Sequence, residues 1–286
     1  KASFHPVLGA IVKQKSNYRV GDCDVFKVSE LEASLSVSML YPDQQLDGLS
    51  PENIALSVHS WIVRTPDNVI VIDTASGNGR ERPGSPLSHQ LDTPYEQRFR
   101  ETGIDPDEVD IVLLTHLHGD HVGWNTHQVE GKWTPFFKNA RYHCSAIGLK
   151  SWQNDPARKT VLEDSFNPVI DAGLLETFDV SQTPHFAEVL RVVPTPGHSH
   201  DHASIILHSA GEYALFSGDL MHNELQVRQP HLASRFCANA EQAEVQRRWA
   251  MEWAVENQAL WFSAHFARSS AGHINKTANG FEWRFV

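Results

Sequence analysis

Between Thr115 and Val122 the chain runs Thr-His-Leu-His-Gly-Asp-His-Val, which places His116, His118, Asp120 and His121 within six residues. Imidazole nitrogens and a carboxylate oxygen are the ligands that zinc and its first-row neighbours prefer, and packing alone does not account for so dense a set. In a loop leaving a strand, His116 and His118 can point one way and Asp120 and His121 the other, an arrangement that suits two adjacent metal ions better than one. Three further candidates stand at the ends of runs that read as buried strands. His198 follows residues 189–195, Asp219 follows 213–217, and His265 follows 260–263. Only a fold that ends these strands at one edge of a sheet brings all seven side chains together.

This ordered set resembles the metallo-β-lactamase superfamily, over about residues 57–265. The resemblance implies an α/β fold of αββα sandwich type, with a dinuclear metal site at one edge of the sheets. It implies His116, His118 and His198 around a first metal, Asp120, His121 and His265 around a second, and Asp219 between them, one carboxylate oxygen for each ion. Zinc is the expected metal, although such a site also takes iron, cobalt or manganese. Two cations that share a water lower its pKa, so that hydroxide attacks a carbonyl or phosphoryl centre at neutral pH. Asp120, at once ligand and neighbour of the nucleophile, is then the expected proton shuttle. Asp73 matches the family's carboxylate that stands behind the ligands and orients a metal-binding loop, and His202 is expected to steady its loop rather than bind metal.

Asp219 separates branches of the family. Well-known zinc β-lactamases carry Cys at that position, and flavin-coupled di-iron relatives carry Glu where His118 stands. Glyoxalase II and the N-acyl-homoserine lactone lactonases keep the whole set. The intervals from His121 to His198, Asp219 and His265 look closest to the lactonases and the methyl parathion hydrolase group, and no Lys/Arg cluster marks a glutathione site. In the lactonases a Tyr stands three residues after the bridging Asp; here that residue is His222. An imidazole there is an acid, a donor to the substrate oxygen, or a bystander at the rim. The expected activity is opening of a lactone or cleavage of a carboxylic ester. The alternatives are a phosphotriesterase or arylesterase of the methyl parathion hydrolase type and, in another class, a mononuclear iron persulfide dioxygenase. The last does not need His121 and His265.

Composition narrows the partners. A net charge of −11 argues against nucleic acid, whose binders present a Lys/Arg stripe. The basic groups at 80–82 and 247–248 read as solvated surface. No apolar run is long enough to span a membrane. The three cysteines form no CxxC pair and read as free thiols in a reducing compartment, which points to the cytoplasm. The opening Lys-Ala-Ser-Phe-His-Pro shows no signal segment but lacks an initiating Met, so a leader removed from a longer chain stays open.

With no repeat or linker, residues 1–286 read as one domain, of which 1–56 include an N-terminal extension or loop. The first clear hairpin is 57–73, helices are expected at about 92–103, 145–154 and 241–257, and strands at 110–115 and 140–144. Val245, Trp249, Trp253 and Glu256 fall along one side of the last helix, which is expected to face the core. Residues 36–50, with Met39 and Leu46, read as a loop against the pocket, the body or a second copy in a homodimer. Trp124 and Met221 flank ligands in sequence and are, with Met39 and Leu46, the expected pocket residues for a small lactone or ester.

Overall fold

The computed structural model describes residues 7–11 and 14–286. The opening residues 1–6, read above for a signal segment, lie outside them. Two sheets carry the fold. In the first, strands Val7–Gly9, Cys23–Ser36, Asn53–Arg64, Val69–Ile72, Ile111–Leu113, Arg141–Ser145 and Leu175–Phe178 follow in that order, and Asn17–Val20 also pairs with Cys23–Ser36. The pairs from Val69–Ile72 onward are parallel. In the second, strands from His185–Phe186 to Gly280–Phe285 lie side by side in chain order, with one parallel pair, Glu212–Phe216 beside Leu260–Phe262.

Strand alternation explains the layering. Trp61, Val63, Ile70 and Ile72 face Val192, Ile205, Leu207, Phe216 and Phe262 of the other sheet. The intervening Ile62 and Val71 point outward, against Tyr95 and Phe99 of helix Tyr95–Glu101 and against Trp152 and Phe166. On the far side Ile206, Leu215 and Trp261 meet Ala250, Met251 and Ala254 of helix Ala240–Glu256. The result is helix, sheet, sheet, helix, as expected of an αββα sandwich.

Two of the expected helices start on side-chain caps. The Ser145 hydroxyl accepts from Gly148 N–H at the start of Ala146–Gln153, and Asn239 caps Ala240–Glu256 through Gln242 N–H. Four expectations do not hold. Cys23–Ser36 is no extension but a 14-residue strand paired with Asn53–Arg64. Its alternation is hidden by a register shift between Ser29 and Leu31 and by the buried charges of Lys27 and Glu30. Within the supposed loop 36–50, Val37–Leu40 forms a helical turn, and Leu40 and Tyr41 pack in a satellite cluster with Leu225 and Leu232.

The last helix presents a different face. Val245 and Trp249 are exposed by 62% and 41% and Glu256 is exposed, while Arg247, Ala250 and Met251 are buried; of the expected face only Trp253 packs on the core, half-buried. Alanines let the helix approach the sheet closely, and Arg247 is accommodated because its Nε donates to Leu220 O at 2.8 Å and a terminal nitrogen donates to Pro230 O. Arg80 is likewise interior. Its guanidinium donates to the carbonyls of Gly123, Thr126 and Asp164 and lies 3.8 Å from the Trp133 ring centroid. Buried arginines of this kind tie loop carbonyls together, so Arg80 and Arg247 are not solvated surface, whereas Arg248 is exposed as expected.

Candidate metal centre

The loops that leave Ile111–Leu113, Leu190–Pro194, Glu212–Phe216 and Leu260–Phe262 converge at one edge of the sandwich. His118 Nδ1 lies 2.9 Å from His198 Nε2. Asp219 Oδ2 lies 3.1 Å from His198 Nε2 and 3.5 Å from His116 Nε2. The other oxygen, Oδ1, lies 3.1 Å from both His121 Nε2 and His265 Nε2, and Asp120 Oδ2 is 3.5 and 3.3 Å from those two nitrogens. Two groups able to hold a metal therefore share Asp219: His116, His118, His198 with Asp219, and Asp120, His121, His265 with Asp219.

The donors fit a cation. Among the described residues His116 Nε2, His121 Nε2 and Asp219 Oδ1 are buried without a hydrogen-bond partner, a costly state for polar atoms that no neighbour or ion satisfies. Burial, with His198 close by, pushes His118 down to about 3. At His198 burial acts downward as well, yet Asp219 outweighs it and lifts that imidazole to about 9. His121 and His265 rise for the same reason. Asp219 itself, which burial alone would raise, is held well below the usual carboxylate range by His121, His265 and His198. A buried carboxylate that collects positive charge from three sides is the electrostatic complement of a divalent ion.

A second ring of contacts aims the ligands. The loop after Val69–Ile72 carries Asp73 and Ala75 in left-handed conformation. Asp73 accepts from Thr115 N–H at 2.8 Å, from the Thr115 hydroxyl at 2.7 Å and from His121 Nδ1 at 2.8 Å. His202 Nε2 accepts from Asp219 N–H at 2.9 Å while its Nδ1 faces Thr195 O at 3.0 Å. It belongs to neither group that shares Asp219. Gly218 has φ +54°, and a Cβ there would lie 2.6 Å from His202 Nε2, so the turn that presents Asp219 requires glycine. His265 Nδ1 faces Ser57 O at 2.9 Å.

Above the ligands lies a cleft of about 430 Å³. Leu31, Ala33, Leu56, Val58, Trp152 and Phe236 form its apolar walls, Arg82 and Arg158 stand among its polar residues, and Asp120 and His222 open into it. His222 Nε2 is 3.5 Å from Asp219 Oδ2, and its ring stacks on His265 at 5.4 Å. Burial pushes His222 down to about 4 against the pull of Asp219, so it is a neutral imidazole rather than an acid poised near pH 7.

The expected pocket residues are elsewhere. Trp124 is buried, stacked on Tyr95 at 4.8 Å, with Nε1 donating to Glu30 at 2.8 Å. Met221 is in the core under the second sheet, because side chains two apart in the turn Gly218–Leu220 and beyond it diverge. Met39 and Leu46 pack on the satellite cluster of Leu40 and Tyr41. Closeness to a ligand in sequence did not translate into closeness to the cleft. The walls come instead from the strand Cys23–Ser36, hidden in the sequence by its register shift, and from the helical segments around Trp152 and Arg158.

Comparison with known proteins agrees with this fold. N-acyl homoserine lactonase AiiB of Agrobacterium fabrum is 30% identical over 89 residues, 26% of this chain and 31% of that protein. Lactamase-like protein GME11357 of Pestalotiopsis microspora is 29% identical over 182 residues, 60% of this chain and 41% of that protein. The matches thus span less than half the length of either relative. The solved structure of the hydrolase AbOPH, described as in the beta lactamase superfamily, superposes with TM-score 0.79 at 21% identity, covering 97% of this chain and 99% of that one. AidC, described as a dizinc quorum-quenching lactonase in complex with a product, superposes with TM-score 0.77 at 17% identity, covering 95% and 97%. At those identities the likeness is one of fold. The family model "Metallo-beta-lactamase superfamily" matches residues 54–250, a stretch that holds six of the seven converging side chains and both sheets' central strands; the chain belongs to that superfamily.

Proposed function

We propose that the protein is a dinuclear metal hydrolase, with zinc as the expected metal, that opens a lactone of N-acyl-homoserine type or cleaves a related carboxylic ester. The observation that carries this reading is Asp219, whose two oxygens each face a different set of imidazoles. His116, His118 and His198 would hold one ion and Asp120, His121 and His265 the other. When bound, the metals supply Lewis acidity and a water of lowered pKa.

The remaining work falls to the chain. Asp120, with its side chain 31% exposed at the cleft floor, takes a proton from the attacking water and passes it to the departing oxygen. His222, neutral and buried beside Asp219, donates a hydrogen bond to the substrate carbonyl or the leaving oxygen. The apolar walls hold an acyl or alkyl group and exclude water around the reacting carbon. A mononuclear iron oxygenase gives no reason for the second group of ligands, and both relatives reported above with a stated reaction are lactonases.

The test is metal content of the purified protein together with turnover of a homoserine lactone, an aliphatic lactone, an aryl ester and paraoxon. Two metals per chain and lactone turnover that falls about 100-fold or more in His222→Phe are expected, the scale of a lost hydrogen-bond donor to the reacting oxygen. Preference for paraoxon moves the assignment to phosphotriesters. One iron per chain with no hydrolysis of the panel overturns it.

A further inference from the structure

Each ligand imidazole whose far nitrogen has a partner in the structure points that nitrogen at an acceptor. His116 Nδ1 faces the Thr115 hydroxyl at 3.0 Å, His121 Nδ1 faces Asp73, and His265 Nδ1 faces Ser57 O. At His198 the corresponding group is a thiol: Cys237 Sγ lies 3.4 Å from His198 Nδ1. A ligand imidazole presents a bare nitrogen to its cation, and His198 Nε2 is the atom that faces Asp219 and His118. With a cation on Nε2, the proton of His198 would sit on Nδ1 and be donated to sulfur. Cys237 belongs to no group able to hold a metal among the described residues, so it acts from behind the ligand.

The thiol is itself fixed. Cys237 N–H donates to Ser234 O at 3.1 Å, and the Ser234 hydroxyl lies 3.7 Å from Sγ and 3.4 Å from His222 Nε2. Two backbone bonds, Ala238 N–H to His198 O at 3.0 Å and Asn239 N–H to Gly197 O at 2.9 Å, dock this segment on the ligand loop. Gly197 has φ +142°, and a Cβ there would lie 2.3 Å from Ala243 N, so the first turn of helix Ala240–Glu256 is pressed against the same loop.

We propose that Cys237 is a positioning residue that fixes the tautomer and aim of the metal ligand His198, and that Ser234 extends this network to His222. The inference rests on the metal reading above. A thiol is the weakest of the acceptors named here, so the ion held by His116, His118 and His198 is the more readily lost of the two.

The experiment loads the metal-free protein with cobalt and compares wild type, Cys237→Ala and Cys237→Ser. Affinity is measured by competition with a chelator, ligand-field absorption reports the site, and thermal unfolding of the metal-free forms reports packing. Cys237→Ala is expected to weaken one of two cobalt ions about 10- to 100-fold and to change its absorption, the range found when partners behind metal ligands are removed. Cys237→Ser, which keeps an acceptor, is expected to restore both. Equal affinities and spectra in all three proteins overturn the proposal, as does equal weakening in Ala and Ser variants with matching loss of metal-free stability. A thiolate-to-cobalt charge-transfer band in the wild type also overturns it, because Cys237 would then be a ligand. Should Cys237→Ala fail to fold, Cys237→Val fills the space without an acceptor and carries the same expectation. Wild-type protein that takes up no cobalt fells the metal reading and this one with it, whereas loading that is indifferent to Cys237 fells this one alone.

Discussion

Lys27 shows how strongly single residues of this fold depart from their usual surroundings. Its ammonium is buried in the strand Cys23–Ser36 and donates to Arg268 O at 2.8 Å. Burial lowers its pKa from 10.5 to about 8, with Glu32 opposing. In the unfolded chain Lys27 titrates at its ordinary value. Between pH 8 and 10.5 the unfolded state therefore holds a proton that the folded state has released, and folding stability gains as pH rises through that window. The fall from 10.5 to about 8 is worth on the order of 3 kcal/mol. Lys27→Met removes this dependence and leaves Arg268 O without its donor at every pH. The stability of wild type relative to Lys27→Met should climb by that amount between pH 7 and 10.5 in denaturant titrations; a flat difference contradicts the buried ammonium. The seven converging side chains were legible in the sequence because each stands at a strand end in a recognisable order. Lys27, Glu30, Arg80, Arg247 and Cys237 were not, since each is a lone polar residue whose partners lie far away in the chain.

At the scale of elements, the helix Ala240–Glu256 sets Ala243, Arg247, Ala250, Met251 and Ala254 against the body, leaves Val245 and Trp249 outward and half-buries Trp253. Periodicity places Val245, Trp249 and Trp253 on one stripe, but the face against the second sheet is set by how near the helix axis can come. Ala243, Ala250 and Ala254 permit a close approach, and Arg247 fills the space beside them while holding Leu220 O, next to Asp219. Substitutions separate the two faces. Trp249→Gln should change stability by no more than about 0.5 kcal/mol, as an exposed site does. Ala250→Leu should cost about 1–3 kcal/mol through overpacking against Leu215 and Trp261. Chemical denaturation of the two variants measures both, and a reversed order contradicts the packing. The same cause hid the strand Cys23–Ser36. Hydrophobic patterns report a buried face only while the register is regular and the interior is apolar, and here a register shift and two buried charges break both conditions.

Across the whole molecule, the candidate metal centre is also a clasp between the sheets. His116, His118, Asp120 and His121 leave the first sheet, whereas His198, Asp219 and His265 leave the second. Protein contacts already bridge the same edge: Ser57 N–H donates to His265 O at 2.9 Å, and Ala203 N–H donates to Thr115 O at 3.0 Å. Without a cation, however, His116 Nε2, His121 Nε2 and Asp219 Oδ1 are buried without a hydrogen-bond partner among the described residues. Any ion that binds the folded chain and not the unfolded one stabilises it by mass action, about 4 kcal/mol when present at roughly a thousand times its dissociation constant. For a chain of this size each kcal/mol moves the unfolding midpoint by about 2–4 °C. Chelation should therefore lower the midpoint by on the order of 10 °C, and graded addition of zinc should restore it in proportion to the logarithm of free metal. Asp219→Asn, which keeps the side chain's size but gives up the second anionic oxygen, should unfold at a midpoint that chelator and zinc barely move. If wild type and Asp219→Asn respond alike to chelator, the ion binds elsewhere and the clasp is held by protein contacts alone.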